Sequence, residues 1–240
     1  MASVHLRKVR SFVRRPGRVT TAQQRALTEL LPRFGIVPQQ ERLDLARVYG
    51  RDAPLVLDIG FGDGEALLTT AANSPGIDYL GIEVHPPGIG HLLLLLEKAA
   101  LTNVRIIDRD AADIVPDMLG DACADAVNLF FPDPWPKKRH HKRRLLQPPF
   151  VDEIARVLKN GGLFHLATDW ADYEAHSREI LDRHVRLVSM TPEDLCHNPL
   201  ASRPPTKFER RGRRLGHDVF DLFYCKTATA KTFIDEPPGI

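Results

Sequence analysis

The stretch Leu55-Val56-Leu57-Asp58-Ile59-Gly60-Phe61-Gly62-Asp63-Gly64-Glu65 decides the fold. Its first five residues form an apolar run, too short for a helix and stopped by glycine, which is the pattern of a buried strand. Glycines at 60, 62 and 64 let the backbone turn sharply, and residues 65–72 then suit a helix. Outward from this unit the alternation continues. Strands are expected over 79–83, 104–107, 126–131 and 163–167, with helices over 90–100, 150–158 and 172–183. Asn160-Gly161-Gly162 reads as the stop of the helix before it. Two late strands, over 185–189 and 219–224, bring the total to seven. Upstream, the first 50 residues give no strand signal and read as a basic arm and helical extension, with a short helix over 43–49. The expected organisation is therefore an extension, 1–50, and an α/β domain, 51–240. Alternation of this kind builds a doubly wound, mostly parallel sheet with helices on both faces.

The chain has 240 residues, and 43% hydrophobic content is ample for a core. The densest apolar stretch, Leu92 to Leu96, is far short of the 18 or so residues that a membrane span needs. Three scattered cysteines without a CxxC pair fit a reducing compartment and argue against a disulfide framework or a cysteine zinc site. A cytoplasmic protein is expected. Net charge is only +2, but it is segregated. Residues 1–28 carry seven cations and no acid, 137–144 (KKRHHKRR) carry six cations, and 203–214 carry six against Glu209 alone. The rest of the chain is strongly acidic. Separation of this kind is the footprint of a polyanionic partner.

In a parallel sheet, ligands sit beyond the carboxyl ends of the strands. Asp58, Glu83, Asp110, Asp133 and Asp169 end or follow five successive strands. Any one could be a loop or cap residue, but five in phase mark a rim. The turn after the first strand, with Gly60 and Gly62, lets a ligand approach the backbone closely. The fingerprint of a dinucleotide site needs a small residue where Glu65 stands. Acids at 58, 63 and 65 would repel a pyrophosphate at a helix start. They suit S-adenosyl-L-methionine, which carries an ammonium and a sulfonium and no phosphate. Glu83 is placed to accept from ribose hydroxyls, and Asp110 either to accept from the adenine amine or to cap a helix.

Phe130-Phe131-Pro132-Asp133-Pro134-Trp135-Pro136-Lys137 is the most specific stretch. Prolines on both sides of Asp133 fix the backbone that carries its carboxylate. Trp135 offers a face for base stacking, or simply packs. The basic run begins at once, so an anionic backbone is drawn to the carboxylate. His140 and His141 are set among cations, a poor place for a metal, and none is expected.

The sequence resembles the bacterial tRNA (guanine-N7-)-methyltransferases, a family of class I, seven-stranded, S-adenosylmethionine-dependent enzymes. The matching stretches are RSFVRRPGRVT (10–20), LDIGFGDGE (57–65), GIEVHPPGIG (81–90), FPDPWPKKRHHKRRL (131–145), ATDW (167–170) and RPPTKFERRGRRLGHDVFDL (203–222). Asp58 stands where Glu is at least as frequent in the family. The resemblance implies a Rossmann-like seven-stranded sheet whose last strand is antiparallel. It also implies a cofactor site lined by Asp58, Glu83, Asp110 and Asp133. Substrate contacts would come from Lys137, Asp169, Thr206, Lys207, Phe208 and Glu209, and RNA contacts from Arg139, His140, His141, Lys142, Arg143 and Arg144. From residues alone, 206–209 read only as a solvated basic loop. The implied reaction is methyl transfer to guanine N7 in the variable loop of tRNA; because the product ring is cationic, Asp133 is expected to be the catalytic carboxylate that stabilises the developing charge. The reaction would run in a monomer or homodimer with no obligatory protein partner. An exocyclic-amine methyltransferase acting on another nucleic acid, a nicotinamide oxidoreductase and a non-enzymatic RNA-binding protein are the competing readings.

Overall fold

The computed structural model describes residues 11–12, 17–191, 193–195 and 198–231. Five of the seven cations of the arm (Arg7, Lys8, Arg10, Arg14 and Arg15) lie outside the described residues. After α1 (Thr21–Glu29), α2 (Leu31–Phe34) and α3 (Leu45–Tyr49), strand and helix alternate as the sequence predicts. The order is β1 (Leu55–Ile59), α4 (Glu65–Asn73), β2 (Asp78–Glu83), α5 (Pro86–Ala99), β3 (Val104–Asp108), α6 (Ala111–Met118) and β4 (Ala124–Phe130). Then follow α7 (Pro148–Val157), β5 (Leu158–Thr168), α8 (Ala171–Arg183), β6 (Leu187–Ser189), α9 (Lys207–Arg214) and β7 (Phe220–Lys226).

The seven strands form one sheet in the order β3-β2-β1-β4-β5-β7-β6. β1 to β5 are parallel, and β7 runs antiparallel to both of its neighbours, β5 and β6. Every residue of β1 is buried, as a central strand with helices on both faces requires. Alternate residues feed opposite cores. Leu55, Leu57 and Ile59 face the helices α6, α7 and α8, whereas Val56 faces α4 and α5. Asp58 shares the Val56 face, and so does Glu83, two residues beyond its register partner Gly81. Sequence order reverses between β1 and β4, which opens a crevice at their carboxyl ends.

The N-terminal extension is fastened to this domain. α1 starts on a capping box, with Thr20 Oγ1 accepting from Gln23 N at 3.2 Å and Gln23 Oε1 accepting from Thr20 N at 2.9 Å. It packs along α5, and Ile36 N donates to Ile106 O at 2.8 Å beside β3. Among the described residues no helix is long and apolar enough to cross a membrane.

Three local readings are corrected. α5 begins at Pro86 rather than at 90, because prolines in the first turn lose no hydrogen bond. Asn160-Gly161-Gly162 is not a helix stop but a bulge inside β5. α7 runs directly into the strand at Leu158, and the register against β4 jumps between Ala124 and Ala126 while Gly161 takes φ +82°. α6 was not expected. Its buried Ala111, Ile114, Val115 and Met118 fall at i, i+3, i+4 and i+7.

Candidate active site

The crevice at the strand ends holds a cavity of about 390 Å³. Gly60, Gly62, Glu83, Asp110, Asp133 and Phe208 line it, with Phe130 and Phe131 as apolar wall. A smaller space beside it is lined by Asp58, Thr206 and Lys207 together with Gly60, Gly62 and Phe208. Of the residues implied for the cofactor, Glu83, Asp110 and Asp133 line the larger space, Asp58 the smaller, and Gly60 and Gly62 both. Lys137, Asp169, Glu209 and the run Arg139 to Arg144 line neither space.

Gly60 and Gly62 take φ of +74° and +62°, where a side chain would strain the backbone. Among the described residues, and apart from Gly60 and its two chain neighbours, no atom lies within 4 Å of the position a Cβ on Gly60 would occupy, so the loop leaves room for a ligand against its backbone. Glu83 fixes that loop. Its Oε2 accepts from Gly62 N at 2.9 Å, and its Oε1 from Val84 N at 2.6 Å and His85 N at 3.0 Å. Burial nonetheless pushes its pKa up, against these three bonds. Burial, with the nearby charge of Glu83, raises Asp58 to about 7. Among the described residues Glu83 has backbone donors that favour its charged form and Asp58 has none.

Asp110 takes the capping role and also stands at the cavity: its Oδ1 caps α6 by accepting from Ala112 N at 3.0 Å. Ser11 and Phe12 cover the same rim, with Ser11 Oγ donating to Asp110 at 3.4 Å. Trp135 is committed to packing. Its indole N–H donates to Ser11 O at 3.0 Å, and the Arg143 guanidinium lies 4.9 Å above its ring. Asp133 stands exposed at the cavity edge, between Phe131 and Trp135, both in the left-handed region (φ +50° and +46°). That unusual backbone turns the chain sharply on either side of the carboxylate.

The segment 206–209 is not a solvated loop. Thr206 caps α9 by accepting from Glu209 N at 3.1 Å, and Thr-x-x-Glu is a capping signature already visible in the sequence. The helix lies across the glycine loop. Phe208 faces Gly62, Lys207 Nζ is 3.7 Å from Asp63, and Arg210 donates to Glu65 at 2.8 Å. The acids expected to repel a pyrophosphate are thus partly balanced by α9, which weakens that charge argument. Glu209 is buried between Arg203 and Arg213, and these cations hold it ionised against the cost of burial. It is an anchor of α9, not a group that faces the cavity.

The sequence reading missed the network below. Arg203 grips Asp221 at 2.9 and 3.0 Å and lies 5.3 and 5.6 Å from the rings of Phe130 and Phe131. His165, in the apolar core of β5, meets Asp221 at 2.6 Å. Burial opposes the charge on Asp221, but His165 and Arg203 hold it down to about 2. Only the single histidine inside an apolar strand hinted at this. Asp169 is 32% exposed beside α9, 3.6 Å from His217 Nδ1.

The basic run forms a 3-10 helix, Lys138–Arg143. Lys137, Lys138, Arg139 and Lys142 are exposed, and His140 and His141 partly so. Burial of the ring and the surrounding cations lower the His140 pKa. Arg144 differs. It is buried against Asp172, so it does not join the surface that the sequence assigned to RNA.

Doubly wound topology, a crevice at the strand reversal and a glycine loop backed by acids define a class I methyltransferase. Two solved structures share the fold. One is the 16S rRNA methyltransferase KamB, at TM-score 0.54 and 16% identity over 78% of this chain and 95% of that one. The other is an antibiotic-related methyltransferase, at TM-score 0.51 and 19% identity over 75% and 92%. Residues 52–222 match the methyltransferase family Methyltransf_4. The tRNA (guanine-N(7)-)-methyltransferase of Alkalilimnicola ehrlichii is 53% identical over 94% of this chain and 95% of its own. That of Halorhodospira halophila is 52% identical over 91% and 95%. The chain belongs to the tRNA (guanine-N7-)-methyltransferase family.

Proposed function

We propose that this chain transfers a methyl group from S-adenosyl-L-methionine to N7 of a guanine in tRNA, in the variable loop. The observation that carries the reading is the convergence of Gly60, Gly62, Glu83, Asp110 and Asp133 on one cavity. Its volume lies in the range of small-molecule sites, and its glycines leave backbone open to a ligand. Asp58 and Glu83 would hold the cofactor's cationic and ribose ends, and Asp110 its adenine. When bound, S-adenosyl-L-methionine supplies a methyl group made electrophilic by its sulfonium.

N7 of guanine carries an in-plane lone pair and no proton. It forms the new N–C bond as the S–C bond breaks, and positive charge passes to the purine without any proton transfer. The protein's task is then positioning and electrostatics. Asp133 meets the charge that develops on the base. Prolines 132 and 134 and the turned backbone at Phe131 and Trp135 keep its carboxylate at the cavity edge. Asp169, the carboxylate left partly open near α9, would accept from guanine N1–H and the 2-amino group and so reject adenine. The exposed cations of 137–143 would bind phosphates. Residues 1–50 serve as an arm and extension of the catalytic domain, which works in the cytoplasm without an obligatory protein partner.

A tRNA transcript made with 7-deazaguanosine tests the site of attack, because a carbon replaces N7. Labelled methyl should enter the ordinary transcript and not this one. Equal labelling of both would shift the reading to an exocyclic amine.

A further inference from the structure

The cations of the run after β4 resemble one another in sequence and differ sharply in their surroundings. Lys138, Arg139 and Lys142 are exposed, with no carboxylate paired to them among the described residues. Arg144 is enclosed, its side chain only 1% exposed. Every donor of its guanidinium that has a partner points into the protein. Nε donates to Pro134 O at 3.0 Å, and one terminal nitrogen reaches both the Asp172 carboxylate and His141 Nε2, the latter at 3.2 Å. The plane lies 5.3 Å from the ring of the fully buried Tyr173. Tyr173 Oη in turn accepts from Leu146 N at 3.4 Å. Arg144 thus ties three pieces together: the turn that carries Asp133, the end of the 3-10 helix, and the start of α8.

We infer that Arg144 is a positioning residue, which sets the Asp133-Pro134-Trp135 turn against α8, and not a contact to RNA. The inference rests on the proposed function for its catalytic consequence, but the placement of the turn does not depend on it. A phosphate ligand at Arg144 would have to displace Asp172 and reach a buried nitrogen. A lysine cannot replace it, because one ammonium cannot span Pro134 O and Asp172 as the guanidinium fork does. Asp172 supplies the other half. Its carboxylate is 60% exposed, and the hydrogen bond from Arg144 lowers its pKa, so Asp172→Asn probes the same tie without opening a core.

The test uses the full chain carrying Trp170→Phe, which leaves Trp135 as the sole indole. Arg144→Lys and Asp172→Asn should each raise acrylamide quenching of Trp135, a readout that needs no activity. With saturating tRNA, Arg144→Lys should lose about 10²-fold in kcat, the scale of a small misplacement of a reacting group. Its KM for tRNA should stay within a few-fold, and the salt dependence of tRNA binding should keep its slope. Lys142→Ala should instead make that slope shallower by about 1. The double variant should be no worse than Arg144→Lys alone, since both changes cut one tie. Two results would overturn the inference. One is unchanged Trp135 quenching in both variants; the other is retained kcat in Arg144→Lys with a shallower salt slope. Wild-type protein that methylates no tRNA would strike the proposed function instead, and the quenching result would still decide the position of the turn.

Discussion

Asp58 and Glu83 lie on one face of the sheet and share one low-dielectric site, yet among the described residues only Glu83 has backbone donors. An aspartate in the unfolded chain ionises near ~3.9, whereas folded Asp58 keeps its proton up to about 7. Across that window the folded state binds the extra proton. Its contribution to stability is therefore complete below about pH 4 and is lost as pH rises through about 7. Urea midpoints at pH 5 and pH 8 should fall further in the wild type than in Asp58→Asn; equal falls would show that Asp58 titrates normally. Asp133 answers to a different test. Asp133→Asn keeps shape and removes charge, so turnover should drop about 10²–10³-fold, the usual loss for one group that stabilises a transition state. Cofactor affinity by calorimetry should stay within a few-fold. Unchanged turnover would remove Asp133 from the chemistry. Both residues were legible in the sequence, because a carboxylate that ends a strand and a carboxylate between prolines are local signals. The partnership of Arg203 with Asp221 and His165 was not, since its members stand far apart in the chain: the antiparallel pairing of β5 with β7 brings Asp221 to His165, and Arg203 joins them from the segment before α9.

At the scale of elements, α5 and α9 hold the glycine loop from two sides. Gly88, in the first turn of α5, lies so close to the loop that a Cβ there would sit 2.0 Å from Gly62 O. Backbone cannot yield as a side-chain tip can, so Gly88→Ala should push the loop off Glu83. Affinity for S-adenosyl-L-methionine should fall about tenfold or more, equivalent to ~1.4 kcal/mol, and calorimetry would register it. Wild-type affinity in this variant would mean that the loop is not set by α5. The ion pair of Arg210 with Glu65 is half exposed on both sides. Its removal should cost under ~1 kcal/mol. Strands were readable because both-face burial writes itself as short apolar runs, as at 55–59. The errors came where two signals compete. Gly161 and Gly162 fit a helix stop as well as a bulge, and the prolines at 86 and 87 fit a breaker as well as a first turn. In α9 the capping pair Thr206 and Glu209 was visible, but its charge hid the helix.

Over the whole molecule, charge is divided between basic segments and an acidic remainder, and of the basic segments α9 lies across the glycine loop. For about six phosphate contacts, tRNA affinity should fall by about three decades between 50 and 200 mM salt. Replacing Arg139, Lys142 and Arg143 with alanine should reduce the slope by about 3, as titrations at several salt concentrations would reveal. A slope like that of the wild type would place the RNA elsewhere. The division of charge could be counted from the sequence, but which cations face solvent could not, because Arg144 is indistinguishable from Arg143 until α8 brings Asp172 against it. Transfer of labelled methyl from S-adenosyl-L-methionine to unmodified tRNA, followed by digestion to nucleosides, bears most directly on the reaction. The expected result is label in 7-methylguanosine alone, while label in another nucleoside, or in none, would contradict transfer to N7.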